Sequence, residues 1–130
     1  MRKTGLFLLY TAGILTFLGG LGDQFIMNYL DVHLDFLGNP EPSDLLSRSE
    51  RLSMLLLHAA GGGFMSTGLA MLALAHFGIR RDQNWAKWTY LIIALIAQGI
   101  NGYAMFSAGS LYGYAIVVLL IALLGLLLVR

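Results

Sequence analysis

Six polar side chains stand within otherwise apolar stretches of this sequence: Asp23, Gln24, Arg51, His58, Gln98 and Asn101. An ionisable group at the middle of a bilayer costs on the order of 2.5–3.5 kcal/mol on insertion scales, so such residues face a partner or a cavity. With a helical rise of about 1.5 Å per residue, Asp23 lies roughly 10 Å inside the end of the first apolar stretch, and His58 a similar depth beyond Arg51. Gln98 and Asn101, about one helical turn apart, fall level with them or slightly deeper. Three helices would then carry polar groups to one depth. Arg51 shares a helix face with His58 and could pair with Asp23 or Glu50 at the mouth of the cluster. Two chemistries fit. An interhelical hydrogen-bond network would fix helix register. An outward-opening pocket would take a small polar ligand or a head group, with Asp23 and His58 exchanging protons.

Other chemistries have weaker support. Zinc needs three or four well-placed ligands, and only Asp23 and His58 of the cluster are good ones, so no metal is expected there. Asp31-x-His33-x-Asp35 would hold a metal only as an extended strand, and reads instead as a solvated acidic loop. His58 and His76 share a helix face five turns apart, at opposite membrane sides, so bis-histidine haem ligation would need a second copy of the chain. Cysteine is absent, which removes disulfides, thiolate metal sites and iron–sulfur clusters. There is no Gly-x-Ser-x-Gly elbow, no HExxH pair and no phosphate-binding glycine loop, and the GGLGD of Gly19 to Asp23 has no strand before it. No cofactor is expected. The catalytic alternative is an intramembrane enzyme acting on a lipid or isoprenoid, with Asp23 and His58 as its acid–base pair.

The elements that position these residues are set by composition. Of the 130 residues 58% are hydrophobic and 12% charged, outside the range of soluble domains. The net charge of +1 excludes an electrostatic nucleic-acid surface. The charges fall in clusters between apolar stretches long enough for the roughly 30 Å hydrocarbon core. Met1-Arg2-Lys3 opens like a secretory signal, but the apolar run that follows is too long for a signal core. Spans are expected at about residues 4–30, 50–77, 85–107 and 111–129, with an outer loop over 31–46 containing a short surface segment. Pro40 and Pro42 stop any helix through that loop. Ser47-x-x-Glu50 fits a capping box at the start of the second span. Gly78 is its expected stop, and Asn84 is placed to cap the third. The three-residue link at Ala108 to Ser110 makes the last two spans antiparallel neighbours.

Arg2, Lys3, Arg80, Arg81, Lys87 and Arg130 lie on one side of these spans, against Arg48 and Arg51 on the other, which puts both termini in the cytoplasm. Trp85, Trp88, Tyr90 and Tyr10 would lie toward the inner interface, and Tyr29, Tyr103, Tyr112 and Tyr114 toward the outer one. Gly13, Gly19, Gly20 and Gly22 in the first span, with Gly61, Gly62, Gly63 and Gly68 in the second, predict close packing of these two helices. The alternative is that Gly61-Gly62-Gly63 loosens its helix beside a ligand. The fourth span has almost no polar interior and is expected to be the most lipid-exposed.

The Ser47-Arg48-Ser49-Glu50-Arg51 entry into a glycine-rich span, through Gly61-Gly62-Gly63 to Gly68-Leu69, resembles the small four-span bacterial families grouped around the DoxX-like proteins, in particular domain of unknown function 4345. The resemblance covers the length of the chain. It implies a four-helix bundle and a bacterial origin, and carries no activity or catalytic residue. Small multidrug pumps of this length have a glutamate deep in the first helix, and here there is none. The expectation is an all-α, antiparallel four-transmembrane-helix bundle as one domain over 1–130, a multi-pass protein of the inner (plasma) membrane. Its expected role is ligand-binding, transport-related or accessory. Its expected partners are the bilayer, a small polar or lipid ligand, and a second copy or another membrane protein.

Overall fold

The computed structural model of the chain describes residues 1–25, 44–107 and 113–129. Every regular element among them is helical. Helix α1 spans Arg2–Gln24 and closes where the Phe25 N–H donates to Gly22 O. Helix α2 spans Asp44–Ala73. It continues through a π-helical turn, Leu74–Gly78, and a 3-10 turn, Ile79–Arg81. Helix α3 spans Asn84–Ser107 and α4 spans Tyr114–Leu128. The expected end of the first span near Leu30, the surface segment, Asp31-x-His33-x-Asp35 and the link at 108–110 lie outside the described residues.

Three helices are long and apolar enough to cross a bilayer: α1, the run Arg51–Arg81, and α3. The fourth, α4, is apolar and 15 residues long, about 22 Å at 1.5 Å per residue. Helix α2 starts earlier than expected. It is already helical at Asp44, so Ser47 and Glu50 lie inside it and do not mark its beginning. An acidic residue is favoured in a first turn by the helix dipole, and Leu45 and Leu46 are good helix formers.

Gly78 is also not the stop. Helical backbone continues to Arg81 and ends at Asp82, whose φ of 61° is left-handed. Asp tolerates that region better than most residues. Its carboxylate accepts from Lys87 Nζ at 2.6 Å, tying the turn to α3. That hydrogen bond, and then the Lys87 charge, hold the Asp82 carboxyl below the usual range. The contribution of the tie to stability is therefore present above the ordinary carboxylate pKa and is lost as pH falls through the lowered one. Gly78 has a different use. A Cβ there would overlap Ala86 Cβ, so glycine lets the turn lie directly on the first turn of α3.

Helix α1 is the hub. It packs along α2 on one side and α4 on another, while α3 packs on α4 and on the π turn. The α1–α2 seam is made by glycine. A Cβ at Gly20 would strike the Gly61 carbonyl, one at Gly61 would lie 2.7 Å from Gly20 O, and one at Gly68 would lie 2.5 Å from the backbone of Phe17. Gly5 and Gly125 make the same approach between α1 and α4, where a Cβ on Gly5 would lie 2.8 Å from Gly125 O. Gly62 and Gly63 face open space, and their helix does not loosen. Instead their carbonyls accept from Ser66 Oγ at 2.7 Å and Thr67 Oγ1 at 2.8 Å.

Helix α4 differs from its expectation as the most lipid-exposed member. Ala115, Val118, Ala122 and Gly125 form a buried stripe against α1 and α3. Absence of polar side chains does not make a helix peripheral in lipid, where small residues set how closely it packs. Large apolar side chains such as Leu56, Leu69, Ile96, Ile100 and Leu120 are more than half exposed. Such a surface is far too apolar for a monomer in water.

Gly20→Val should lower the thermal midpoint in detergent by the equivalent of about 1–3 kcal/mol, the cost of overpacking. Gly63→Ala, on the open side of α2, should leave the midpoint unchanged or raise it. Equal effects of the two substitutions would be inconsistent with a glycine-determined seam.

Candidate functional site: the polar interior of the bundle

The polar residues of α1, α2 and α3 separate into two levels. At the end of α1, Gln24 Nε2 donates to the His58 backbone carbonyl at 2.7 Å. Gly61 makes this contact accessible, since a Cβ at that position would lie 2.6 Å from Gln24 Nε2 and 2.7 Å from Asp23 Cβ. Asp23 and His58 are half-buried beside this seam, and Arg51, about two turns from His58, is exposed. The His58 backbone carbonyl is thus part of the contact with α1, which no reading of side-chain types could have shown.

The second level is deeper and belongs to α3 and α1. Gln98 is 2% exposed, and its Nε2 donates to Thr16 Oγ1 at 2.9 Å. Thr16, 1% exposed, donates in turn to Ala12 O at 2.9 Å. Gln98 Oε1 is buried with no hydrogen-bond partner. Asn101, a turn nearer the Gln24 level, is half-buried. Of the six sequence candidates, then, α1 and α2 bring Asp23, Gln24 and His58 together. Gln98 pairs with Thr16, about two turns along α1 from Asp23. Thr16 was not singled out in the sequence, because a threonine inside a helix commonly bonds its own i−4 carbonyl and gives no sign of a partner.

Two tyrosines complete the interior. Tyr90 OH, fully buried, donates to Leu9 O at 2.7 Å, and Tyr114 OH donates to Leu15 O at 2.5 Å. A carbonyl has two lone pairs, so α1 keeps its own ladder while accepting from α3 and α4. Near the other end Tyr10 OH lies 3.1 Å from His76 Nδ1, with the His76 ring edge-on to Phe77. His76 therefore has a partner on α1. Among the described residues no three His, Asp or Glu side chains converge as metal ligands would.

Among the described residues, then, the Gln98 carboxamide has an N–H matched inside the protein and its carbonyl oxygen unmatched. A buried acceptor left without a donor costs about 1–3 kcal/mol. Two substitutions at the same bond should therefore behave unequally. Thr16→Val strands the Gln98 amide and should destabilise by about 1–3 kcal/mol in detergent. Gln98→Leu removes the unmatched acceptor together with the bond and should be close to neutral. The coupling between them, read from the double variant, should be about 1–3 kcal/mol, because nothing is left stranded once both partners are gone.

No family model matches the chain, and no curated protein and no solved structure is similar to it, so the functional reading rests on this geometry.

Proposed function

We propose that the chain is a multi-pass protein of the inner (plasma) membrane, with both termini cytoplasmic, that binds a small ligand in its polar interior as a transport-related or accessory module. The observation that carries the binding role is the unmatched Gln98 Oε1, buried between α3 and α1. A ligand hydroxyl, amine or amide N–H would supply the missing hydrogen bond. Asn101 and the Asp23–His58 seam mark the side from which it would enter. This is the chemistry of a small polar molecule or a lipid head group, with no bond made or broken.

The orientation is supported by what meets at each end of the bundle. Arg2 Nη2 donates to Arg80 O at 3.0 Å, bringing the N-terminus to the α2–α3 turn. A Cβ on Gly5 would lie 2.7 Å from Val129 Cγ1, which brings the C-terminus to the same end. Arg2, Lys3, Arg80, Arg81 and Lys87 thus belong to one end, as the positive-inside rule requires of a cytoplasmic face. A four-span bacterial family of the DoxX-like kind is the grouping this layout fits, and it adds no activity to the reading.

Native mass spectrometry of the protein extracted from its own membrane tests the binding role. The wild type should carry a bound molecule of constant mass, and Gln98→Leu should lose it by tenfold or more while keeping its helical circular dichroism. A wild type without any adduct, or an adduct indifferent to Gln98→Leu, would remove the basis for the site. Compartment-specific reporters at the two termini should both read cytoplasm.

A further inference from the structure

The end of the bundle where Arg2 meets Arg80 has a second, separate feature. A groove of about 400 Å³ lies between the end of α2 and the start of α3, with Ala70, Ala73 and Phe77 on one wall and Trp85, Thr89 and Ile93 on the other. It forms because α2 and α3 touch mainly through the π turn. That turn widens α2 locally, and Gly78 seats it on Ala86. Alanines on the α2 wall leave room where leucine would fill it. The lining is almost wholly apolar, and Phe77 and Trp85 at its rim are 61% and 60% exposed.

Charge is one-sided where the groove ends. Arg80 and Arg81 follow its Gly78 wall after the buried Ile79, and both are exposed. Asp82 is the only acidic residue from Arg51 to the C-terminus, and it is already paired with Lys87. Arg2 is held to the same turn by its bond to Arg80 O. An acyl-chain-sized apolar groove therefore ends two residues before the Arg80-Arg81 pair, and the one acidic residue of the sequence from Arg51 onward is already taken by Lys87.

We propose that this groove is a binding site for one anionic phospholipid, an acyl chain lying between α2 and α3 and the phosphate against Arg80 and Arg81. The charge complementarity selects the occupant. A zwitterionic lipid would fill the groove equally well, but its own ammonium offsets its phosphate, whereas an anionic head group brings a net negative charge to the two arginines at the depth where head groups lie. The π turn has a purpose in this arrangement, as such bulges often do, because it opens the wall on which the chain rests. The proposal rests on the membrane assignment above and is independent of ligand binding at Gln98.

The chain's two tryptophans make it testable, because Trp85 lines the groove and Trp88 does not. Full-length protein would be reconstituted into vesicles containing equal mole fractions of either brominated phosphatidylglycerol or brominated phosphatidylcholine in an unbrominated phosphatidylcholine background. Variants Trp88→Phe and Trp85→Phe each leave one reporter. The expected result is stronger quenching of Trp85 by the anionic lipid, with a relative binding constant at least fivefold above the neutral one, and no such preference at Trp88. Arg80→Gln with Arg81→Gln should abolish the preference, by roughly fivefold per arginine. Ala73→Leu, which keeps the charge, should weaken quenching of Trp85 by both lipids. Circular dichroism would confirm that each variant is folded. Equal quenching of Trp85 by the two lipids, or the same anionic preference at Trp88, overturns the site. No quenching of either tryptophan by either lipid would overturn the membrane assignment, and the site with it.

Discussion

Backbone-to-backbone approach along α1 is the constraint on which the rest depends. Gly20 on Gly61, Gly13 and Phe17 on Gly68, and Gly5 on Gly125 bring two helices to α1 at distances that a single Cβ would prevent. Lipid tails are as apolar as leucine, so burying leucine against leucine gains little there. Close van der Waals packing and interhelical hydrogen bonds have to hold the helices together. The buried core has the corresponding character: Ala12, Ala75, Ala86, Ala94, Ala115 and Ala122 are fully enclosed beside a few larger residues such as Leu9 and Val118, while many large aliphatic side chains, Leu56, Ile96 and Leu120 among them, are exposed.

The same closeness decides where polar groups can go. Once the α1 backbone is within reach of its neighbours, its carbonyls become acceptors for side chains on other helices. Tyr90 reaches Leu9 O and Tyr114 reaches Leu15 O, while Gln24 on α1 reaches across to His58 O. None of these carbonyls leaves its own helical ladder. Each bond is modest, but together they fix the rotation of α1 relative to three other elements, which glycine contacts alone would leave free to slide. The Gln98–Thr16 bond belongs to this set and exceeds it in one respect, since it has an acceptor to spare.

Much of the architecture was legible in the sequence because it follows from hydropathy and glycine position. Three of the four expected spans, the glycine seam between α1 and α2, and the contact of α3 with α4 are present. The candidate site was legible only as a set of residue types at one depth. Depth along a helix is set by rise per residue, whereas partnership is set by rotation about the axis, and one sequence constrains the second weakly. Hence the sequence marks Gln98 but not Thr16, and marks the His58 ring but not the His58 carbonyl that accepts from Gln24. The start of α2 and the packing of α4 were misjudged for a related reason. Capping patterns and polarity are local, while the position of Asp44 in a helix and of Ala122 in a core is decided by neighbours.

The contacts of α2 with α3 explain why the two ends of the bundle have different characters. Helix α1 holds α2 along its length, and α4 holds α3, but α2 and α3 meet mainly at the π turn. Away from that turn the two helices part, and the groove between them is bounded by side chains as small as Ala70 and Ala73. The bundle is closed by backbone contacts on the α1 side and by adaptable packing on the α2–α3 side. Separating helices that touch through glycine gives up all of their contact at once, so the α2–α3 side is where the bundle can adapt.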